Sequence, residues 1–408
     1  MKILVITSRY YPEQFSIVKI CEKFVEMGHS ITVITGKPNY GYWKVLEGYE
    51  SVSSEDINGV RVNRVNETPR KKGLFGLIKN YFSIFREYKK KLKHHKEHYD
   101  VVLSHVMSPI FTMSGIARFC KKIGIPHVHY GLDLWPESLI ASSYFKRCNP
   151  VFQLTKLYSK KLYSKCDYIT FASPSVEGYF RNYLGIKKVP FKHIYQPTLT
   201  TKMSNDIVQN HLYMSNDVLH ILYCGSIARF HRLDILLDAA YEYKRMHLDT
   251  TITIDIVGSG SELDKLIFKS KQLELDDMIT FHGRVTADQT KEFYLNADIL
   301  YVPLENNSAT SKMIPQKLIE YLMYNRPILG MIVGDGEALL KQASEHNVIC
   351  DQSIKGVLDG IIKIGNNYRS FNLCGNQNRS FYDLNNRFLL STICQEIIDV
   401  CTSAINMY

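Results

Sequence analysis

Short runs of apolar, often β-branched residues alternate with helical patterns through almost the whole chain. In the first half the runs are ILVIT (3–7), ITVITG (31–36), DVVLSH (100–105), IPHVHY (125–130), DYITFAS (167–173) and FKHIY (191–195). In the second half they are LHILYCGS (219–226), ITIDIVGSG (252–260), MITFHGRV (278–285), ADILYVPL (297–304) and RPILGMIV (326–333). Continuous apolar strands joined by helical crossovers predict parallel sheets with helices on both faces.

Two such sets of strands in 408 residues predict two doubly wound, Rossmann-like α/β domains. We expect an N-terminal domain over 1–197, a polar linker over 198–217 and a second domain over 218–380, with 381–408 forming a further helix. Ligands of doubly wound sheets bind at the carboxyl ends of the strands, so we expect the site in a cleft where the two domains face each other.

Charge is unevenly distributed along the chain. Residues 1–200 contain 31 Lys or Arg and 15 Asp or Glu, whereas the remaining residues contain 19 and 25. A basic first half predicts an anionic partner, and nucleic acid, an acidic lipid surface or a phosphorylated substrate would each fit. Nine cysteines without a C-x-x-C pair indicate a reducing compartment. The start MKILVITSRYYPE is typical of a first strand rather than a signal peptide, and no apolar run reaches the roughly 18 residues of a membrane span.

A basic tract over 71–98 concentrates much of this charge. Its apolar residues fall on one helical stripe, at positions 74, 77, 78, 81, 82, 85, 88 and 92, and nine Lys or Arg occupy other positions. One interpretation is an ordinary amphipathic helix on its own sheet, and another is a helix that partly enters an anionic membrane surface. Nucleic-acid binding is a third, although no recognition module or stacking platform is evident elsewhere.

The stretch KMIPQKLIEYLMYNRPIL (312–329) places a lysine where a helix begins. Pro315 suits the first turn, and Lys317 lies at the positive end of the helix dipole, where an acid is expected. A phosphate bound at the helix start would make Lys317 a second positive ligand. Glu320, one turn later on the same face, can accept hydrogen bonds from a ribose. This order predicts a nucleotide diphosphate, and a plain Lys–Glu surface pair is the alternative.

Three strand-to-loop junctions in the second half carry further candidate residues. The turn of Gly225 and Ser226 would let a backbone approach a phosphate, which Arg229 in the same loop can neutralise. IVGSGSELDKL (256–266) contains Gly258 in another glycine loop, and FHGRV (281–285) ends a strand at Gly283. Loop backbone of this kind can stack against or hydrogen-bond a base.

In this combination and order, the second half resembles the nucleotide-sugar domain of GT-B glycosyltransferases, and more narrowly the retaining enzymes of glycosyltransferase family 4. The stretches that carry the resemblance are YCGSIARFHRLD, IVGSGSEL, FHGRV, ADILYVPL and IPQKLIEYLMYNRPIL. The first half is similar through YYPEQFSIVKICEKFVEMGHSITVITGKPNY and HYGLDLWPESL. These resemble a branch of bacterial enzymes that add amino sugars such as N-acetyl-L-fucosamine in O-antigen, lipopolysaccharide or capsule synthesis.

The resemblance implies a role for each candidate residue. Glu320 would bind the donor ribose, while Lys317 and Arg229 would hold the diphosphate and stabilise the leaving nucleotide. The other implied donor contacts are Gly225, Ser226, Gly258, Gly283, Val285, Lys312 and Pro315. The implied acceptor contacts are Tyr11, Glu13 and Asn39. Asp133 would face the reaction centre, and its alternative role is a helix N-cap. The last helix, 381–408, would pack back on the first domain.

Two departures from the family pattern bear on specificity. Many members have an acid eight residues before the ribose-binding one, but this chain has Lys312 there, which leaves the sugar open. Ser226 stands where an arginine is common, so Arg229 or Arg232 would supply that charge. The chain has no Asp-x-Asp, which agrees with the metal-independent chemistry of the family and implies no metal or other cofactor.

The resulting hypothesis is a metal-independent hexosyltransferase that moves a sugar with retention from a UDP-sugar to a polyprenyl-diphosphate-linked saccharide. The enzyme would be cytoplasmic and peripheral on the inner face of the bacterial inner membrane, with no nucleic-acid partner. A sugar-nucleotide epimerase or phosphorylase of the same fold is one alternative. A non-catalytic binder of anionic lipid or nucleic acid is another.

Overall fold

The computed structural model describes residues 1–39, 44–69, 71, 73–105, 108–141, 145–200, 218–248, 250–307, 309–324, 326–373, 384 and 386–408. The chain divides into two compact units, Met1–Leu199 with Leu390–Tyr408, and Thr200–Leu389. Each unit is built on one sheet of mainly parallel strands, so the predicted pair of Rossmann-like α/β domains is confirmed. The predicted linker lies outside the described residues from 201 onward.

The N-terminal unit contains an eight-stranded sheet in the order β3-β4-β2-β1-β5-β6-β7-β8. Its strands are β1 (Lys2–Thr7), β2 (Ser30–Gly36), β3 (Ser54–Ile57), β4 (Val60–Val65), β5 (Val101–His105), β6 (His127–Gly131), β7 (Tyr168–Phe171) and β8 (Phe191–His193). All neighbouring pairs are parallel except β3 and β4. Chain order turns back at β1, so the topological switch point lies between β1 and β5.

Helices cover both faces of this sheet. They are α1 (Ser16–Glu26), α2 (Gly73–His94), α3 (Met113–Ile123), α4 (Ser138–Ala141), α5 (Pro150–Tyr163) and α6 (Val176–Gly178), which continues as a π-helical turn (Tyr179–Tyr183). A 3₁₀ turn (Ile110–Thr112) precedes α3. Helices α2, α3 and α5 share one core on one face, and α1 packs in a second core that contains the opposite side chains of the strands.

The β3–β4 hairpin is the element that the apolar runs did not predict. Its strands carry charged residues, and its turn is Asn58-Gly59, with φ of 52° and 79°. Two positive φ angles are what a type I′ turn requires, and Asn-Gly is the strongest short-range signal for it. The dipeptide was therefore available in the sequence as evidence for a hairpin.

The C-terminal unit contains a fully parallel sheet in the order β11-β10-β9-β12-β13-β14. The strands are β9 (Val218–Cys224), β10 (Thr251–Val257), β11 (Ile279–Gly283), β12 (Ile299–Pro303), β13 (Ile328–Met331) and β14 (Val348–Ile349). The helices are α7 (Leu233–Arg245), α8 (Leu263–Gln272), α9 (Ala287–Asn296), α10 (Gln316–Leu322), α11 (Asp335–Ala343) and α12 (Ile354–Leu373). Two 3₁₀ turns, Arg229–His231 and Thr310–Lys312, precede α7 and α10.

The last helix, α13 (Leu390–Met407), follows the C-terminal unit in the chain but belongs to the N-terminal unit. It packs on α1, β5 and β6. Cys394 and Cys401, seven residues apart, lie on its buried face, and the described cysteines are all free. Among the described residues, no helix is long and apolar enough to span a bilayer.

Candidate functional site

Three glycine turns line up at the carboxyl ends of β9, β10 and β11. Val257 of β10 is in register with both Cys224 of β9 and Gly283 of β11. Beyond the strands, the Gly225 N–H donates to the Val257 carbonyl at 2.9 Å, and the Gly258 N–H donates to the Gly283 carbonyl at 2.7 Å. The three loops therefore continue the alignment of the strands and present a band of backbone at one edge of the sheet.

Glycine is required at two places in this band. Gly258 has a φ of +141°, and a Cβ there would lie 1.8 Å from the carbonyl oxygen of Gly225. Gly225 has a φ of +149°, and a Cβ there would lie 3.0 Å from the Lys317 amine. A side chain at either position would strain the backbone, so the two glycines allow the Gly225 and Gly258 loops and the Lys317 amine to pack closely together.

Lys317 points its amine at this edge. The Lys317 Nζ donates to the Tyr223 hydroxyl at 2.6 Å and lies 3.9 Å from the centre of the same ring. The Tyr223 hydroxyl in turn donates to the Ser226 carbonyl. Burial lowers the pKa of Lys317 to about 7. An anion placed at Gly225 would stabilise the charged amine and raise that pKa again.

The helix that carries Lys317 is short and begins after Pro315. Helix α10 has seven residues, and Pro315 precedes it with an extended backbone (ψ 140°) instead of occupying the first turn. Pro315 fixes where the helix begins, but so short a helix contributes little dipole. The cationic feature of this edge is therefore the positioned amine of Lys317.

Glu320 lies one turn further along α10 and is almost fully buried. Its Oε1 accepts a hydrogen bond from Gln316 Nε2 at 3.0 Å, and its Oε2 accepts one from Thr200 Oγ1 at 2.8 Å. These two contacts fix the orientation of the carboxylate, one through each oxygen.

Two arginines lie near the Gly225 turn, and the structure distinguishes them. Arg232 Nε donates to Asp234 at 3.1 Å, whereas the exposed Arg229 side chain has no hydrogen-bond or ion-pair partner within the part of the chain that the structure describes. Both line a cleft of about 490 Å³ together with Lys265, Lys269 and Glu305. Of the two, Arg229 is the one whose guanidinium is available to a ligand.

The remaining predicted donor residues occupy neighbouring loops. Ser226 is exposed, and Val285 is half-buried two residues after β11. Lys312 ends the 3₁₀ turn before α10, and its amine has no ion-pair partner among the described residues. Lys312 is half-buried and lies five residues before Lys317, in the segment that leads into α10.

In the N-terminal unit, two of the predicted acceptor residues lie together. Glu13 Oε1 accepts from the Asn39 backbone N–H at 2.8 Å, and Asn39 Nδ2 donates to Glu67 Oε1 at 3.0 Å. Arg9 completes the cluster, 3.5 Å from the same Glu67 oxygen. Tyr11 is exposed in the adjoining loop. The cluster lies where β1, β2 and β4 end, which is the usual ligand edge of such a sheet.

Glu67 was not among the residues predicted from the sequence. Its side chain is fully buried, and burial raises its pKa to about 7, although Arg9 and the hydrogen bond from Asn39 act in the opposite direction. Its Oε2 is packed so closely against Gly36 that a Cβ there would lie 2.5 Å away. Glu67 lies two residues after β4. Because the apolar runs did not predict β4, nothing in the sequence indicated that Glu67 lies at this edge.

Asp133 lies in the loop after β6, five residues before α4 begins, so the alternative interpretation as an N-cap is wrong. Burial raises its pKa, and a hydrogen bond with Ser108 partly opposes this. Ser108 also accepts from the Trp135 indole at 3.0 Å. Asp133 is therefore tied to the packed interior of the loop through Ser108.

Two histidines of β6 have a structural role instead of an acid–base one. His127 Nε2 and His129 Nδ1 both bond the Ser104 hydroxyl, at 2.8 and 2.9 Å. Both rings are buried, and burial lowers their pKa values, to about 4 for His127. Both imidazoles are therefore neutral near pH 7. Among the described residues, no three His, Cys, Asp or Glu side chains gather as they would around a metal ion.

Two Rossmann-like units, one of which presents glycine loops and a half-buried lysine at the carboxyl edge of its sheet, give the chain the fold of the GT-B class. The sequence comparison agrees. Residues 14–198 match Glycosyltransferase Family 4, and residues 213–381 match Glycosyl transferases group 1. The chain is thus a GT-B glycosyltransferase with a family 4 N-terminal half and a group 1 C-terminal half. No curated protein matches the sequence.

Solved structures share the fold over the full length of the chain. Sucrose-phosphate synthase from Thermosynechococcus elongatus has a TM-score of 0.75 at 14% identity, with 100% of both chains covered. HepE from Anabaena in complex with UDP-glucose has a TM-score of 0.66 at 14% identity, covering 99% of this chain and 100% of that one. WaaG, a glycosyltransferase of lipopolysaccharide biosynthesis, has a TM-score of 0.66 at 12% identity, covering 98% and 100%.

Proposed function

We propose that the enzyme transfers a sugar, with retention of configuration, from a UDP-sugar to a lipid-linked saccharide during synthesis of a bacterial surface polysaccharide. The sugar is an N-acetylated amino or deoxy sugar, and the acceptor is carried on polyprenyl diphosphate. The C-terminal unit binds the donor and the N-terminal unit binds the acceptor. The chemistry needs no metal ion.

The observation that carries the proposal is the placement of the Lys317 amine beside Gly225. A buried amine is costly, and this one has a pKa near 7 and a phenol as its hydrogen-bond partner. Because Gly225 has no side chain, this amine lies close to the backbone of the loop. A cationic group that faces an open backbone edge fits a diphosphate, and solved relatives of the fold hold UDP or UDP-glucose.

In the proposed reaction the bond from the anomeric carbon to the diphosphate breaks, and its electrons leave with UDP. Lys317 and Arg229 neutralise the charge that develops on the diphosphate, since fixed cations in a dry site stabilise such a transition state strongly. Glu320 holds the ribose through its carboxylate, and Gly283 and Val285 contact the base. Lys312, where relatives often have an acid, contacts the donor sugar or phosphate and affects which sugar is accepted.

On the acceptor side, Glu13 and Asn39 bind sugar hydroxyls, and Tyr11 packs against a ring face. The hydrogen bonds from Asn39 to Glu13 and Glu67 hold these groups in one place, which supports the assignment. Asp133 acts at the reacting hydroxyl, and its raised pKa makes it a stronger proton acceptor than an ordinary carboxylate. The chain works as a peripheral protein on the inner face of the inner membrane, where its acceptor lies.

The donor assignment is tested by thermal unfolding with UDP, GDP and ADP, followed by nucleotide release from a panel of UDP- and GDP-sugars. We expect UDP to stabilise the protein most. Lys317→Ala and Glu320→Ala should each lower transfer by about a hundredfold or more while the protein stays folded. Lys341→Ala is the matched control, because Lys341 is an exposed lysine of the same unit that pairs with Glu337.

The result that would contradict the assignment is near-normal turnover in both active-site variants. Stabilisation by no nucleotide would contradict it as well. Conversion of the donor to an epimer without any acceptor would instead identify the enzyme as an epimerase of the same fold.

A further inference from the structure

Two helices of the N-terminal unit expose rows of large apolar side chains. The residues are between 48% and 90% exposed: Phe75, Ile78 and Phe82 on α2, and Val151, Leu154 and Leu157 on α5. Their spacing of three or four residues puts each row on one side of its helix. The opposite sides are buried in a shared core, through Ile84 and Tyr88 on α2 and Leu162 and Tyr163 on α5. The exposed rows therefore do not take part in the hydrophobic core of the unit.

An aromatic chain connects the two helices. Tyr81 of α2 packs on Trp135 with ring centres 6.2 Å apart, and Trp135 packs on Phe111 at 6.1 Å. Phe111 in turn packs on Tyr158 of α5 at 5.7 Å. Aromatic pairs of this geometry each contribute about 0.5–1.5 kcal/mol. The motif that contains Trp135 thus holds the exposed rows of α2 and α5 in a fixed relation.

Both rows lie at the carboxyl edge of the sheet. Helix α2 leads from β4 to β5, and α5 lies between the parallel strands β6 and β7. A crossover helix between parallel strands runs back from the carboxyl end of the first strand. The first turns of α2 and α5, which carry the exposed residues, therefore lie at the edge where Glu13 and Asn39 are found. We call these two rows the α2–α5 surface.

Exposed cations lie on the same two helices, and most of them follow the apolar rows in the chain. The exposed ones on the two helices are Lys79, Arg86, Lys89, Lys90, Lys93, Lys160 and Lys161. Against them the helices carry a single acid, Glu87, and α5 has none. Apolar side chains flanked by lysines and arginines match the chemistry of an anionic bilayer, with acyl chains below and phosphate groups around.

We infer that the α2–α5 surface is one docking surface for an anionic lipid bilayer, to which α5 contributes as well as α2. The inference rests on the proposed function, in which a lipid-linked acceptor is taken from the membrane. The apolar rows enter the headgroup boundary, the basic residues contact lipid phosphates, and the carboxyl edge of the sheet is brought close to the acceptor.

The test is flotation of the full chain with phosphatidylcholine vesicles and with vesicles that also contain phosphatidylglycerol, without donor or acceptor. Wild-type protein should bind the anionic vesicles, and salt should weaken that binding. Leu154→Ser/Leu157→Ser and Phe75→Ser/Phe82→Ser should each weaken it by about tenfold or more. Phe268→Ser is the matched control, because Phe268 is 63% exposed on α8 of the other unit.

Three outcomes would overturn the inference: wild type that binds neither kind of vesicle, an α5 variant that binds like wild type, or a control variant that loses binding equally. A wild-type dimer that Leu154→Ser/Leu157→Ser converts to a monomer, measured by light scattering, would show instead that the surface joins two copies. All the substituted side chains are exposed, and circular dichroism checks that the variants fold. Because vesicle binding is measured without turnover, its failure is distinct from failure of the glycosyl transfer.

Discussion

At the scale of single residues, the proposed role of Lys317 predicts that donor binding is linked to proton uptake. Its pKa of about 7, lowered from 10.5 by burial, leaves much of the amine neutral above neutral pH. A diphosphate beside it favours the charged form, so at about pH 8 UDP binding should take up a proton. UDP affinity should therefore fall as pH rises above about 7.

Isothermal titration calorimetry in buffers of different ionisation enthalpy measures this uptake. Lys317→Met should abolish it, and Lys341→Met should leave it unchanged. Equal binding heats in every buffer at that pH would mean that Lys317 does not change its protonation when UDP binds.

Glu67 predicts a pH dependence of stability in the N-terminal unit. Its pKa is about 7 in the folded protein and 4.5 as an ordinary carboxyl, so between these values the folded state binds more protons than the unfolded state. The free energy of unfolding should then fall as pH rises from about 4.5 to about 7. Glu67→Gln, which cannot titrate, should lose this fall.

Melting temperatures at about pH 5 and about pH 8 bracket the titration of Glu67. Glu26→Gln is the control, since Glu26 is an exposed acid of the same unit. A Glu67→Gln variant whose melting temperature changes with pH as steeply as that of wild type would argue against this titration.

At the scale of elements, the aligned loops after β9, β10 and β11 predict that two glycines differ in how well they tolerate substitution by alanine. Gly258→Ala places a methyl group 1.8 Å from the Gly225 carbonyl, so the loops must separate, and both stability and UDP protection should be lost. Gly283 also has positive φ, at +67°, but a Cβ there meets no atom within 4 Å. Gly283→Ala should cost only about 1–2 kcal/mol of backbone strain and leave the contact between the Gly225 and Gly258 loops intact.

Thermal unfolding of both variants with and without UDP makes the comparison. If the two substitutions behaved alike, the close contact between the Gly225 and Gly258 loops would not be what keeps this edge in place.

At the scale of the whole molecule, α13 lies at the end of the chain but should stabilise only the N-terminal unit. Ile397→Ala removes buried side-chain volume from the core between α13 and α1, which costs about 2–5 kcal/mol. Calorimetry should show a lower transition for the N-terminal unit, while the transition that UDP raises is unchanged. The exposed Asn406→Ala is the control. A lower temperature for the UDP-sensitive transition would show that α13 stabilises the C-terminal unit, which would contradict this prediction.

The fold was readable from the sequence wherever strands are continuous apolar runs, as β1, β5 and β12 are. The β3–β4 hairpin was missed because its strands carry charges, and β14 because it has two residues. Candidate donor residues such as Lys317 and Gly225 were found because they belong to loops with local signatures. The Arg9–Glu67 pair spans 58 residues and exists only once β1, β2 and β4 are side by side.

The return of α13 to the N-terminal unit has a consequence for the order of folding during synthesis. A chain emerges from the ribosome N-terminus first, and domains generally fold as units. Every residue of the C-terminal unit precedes α13, so that unit can fold while translation continues. The first unit, although made earlier, keeps the apolar side of β5 and β6 uncovered until α13 has emerged. The half of the protein that is translated first is therefore the half that is completed last.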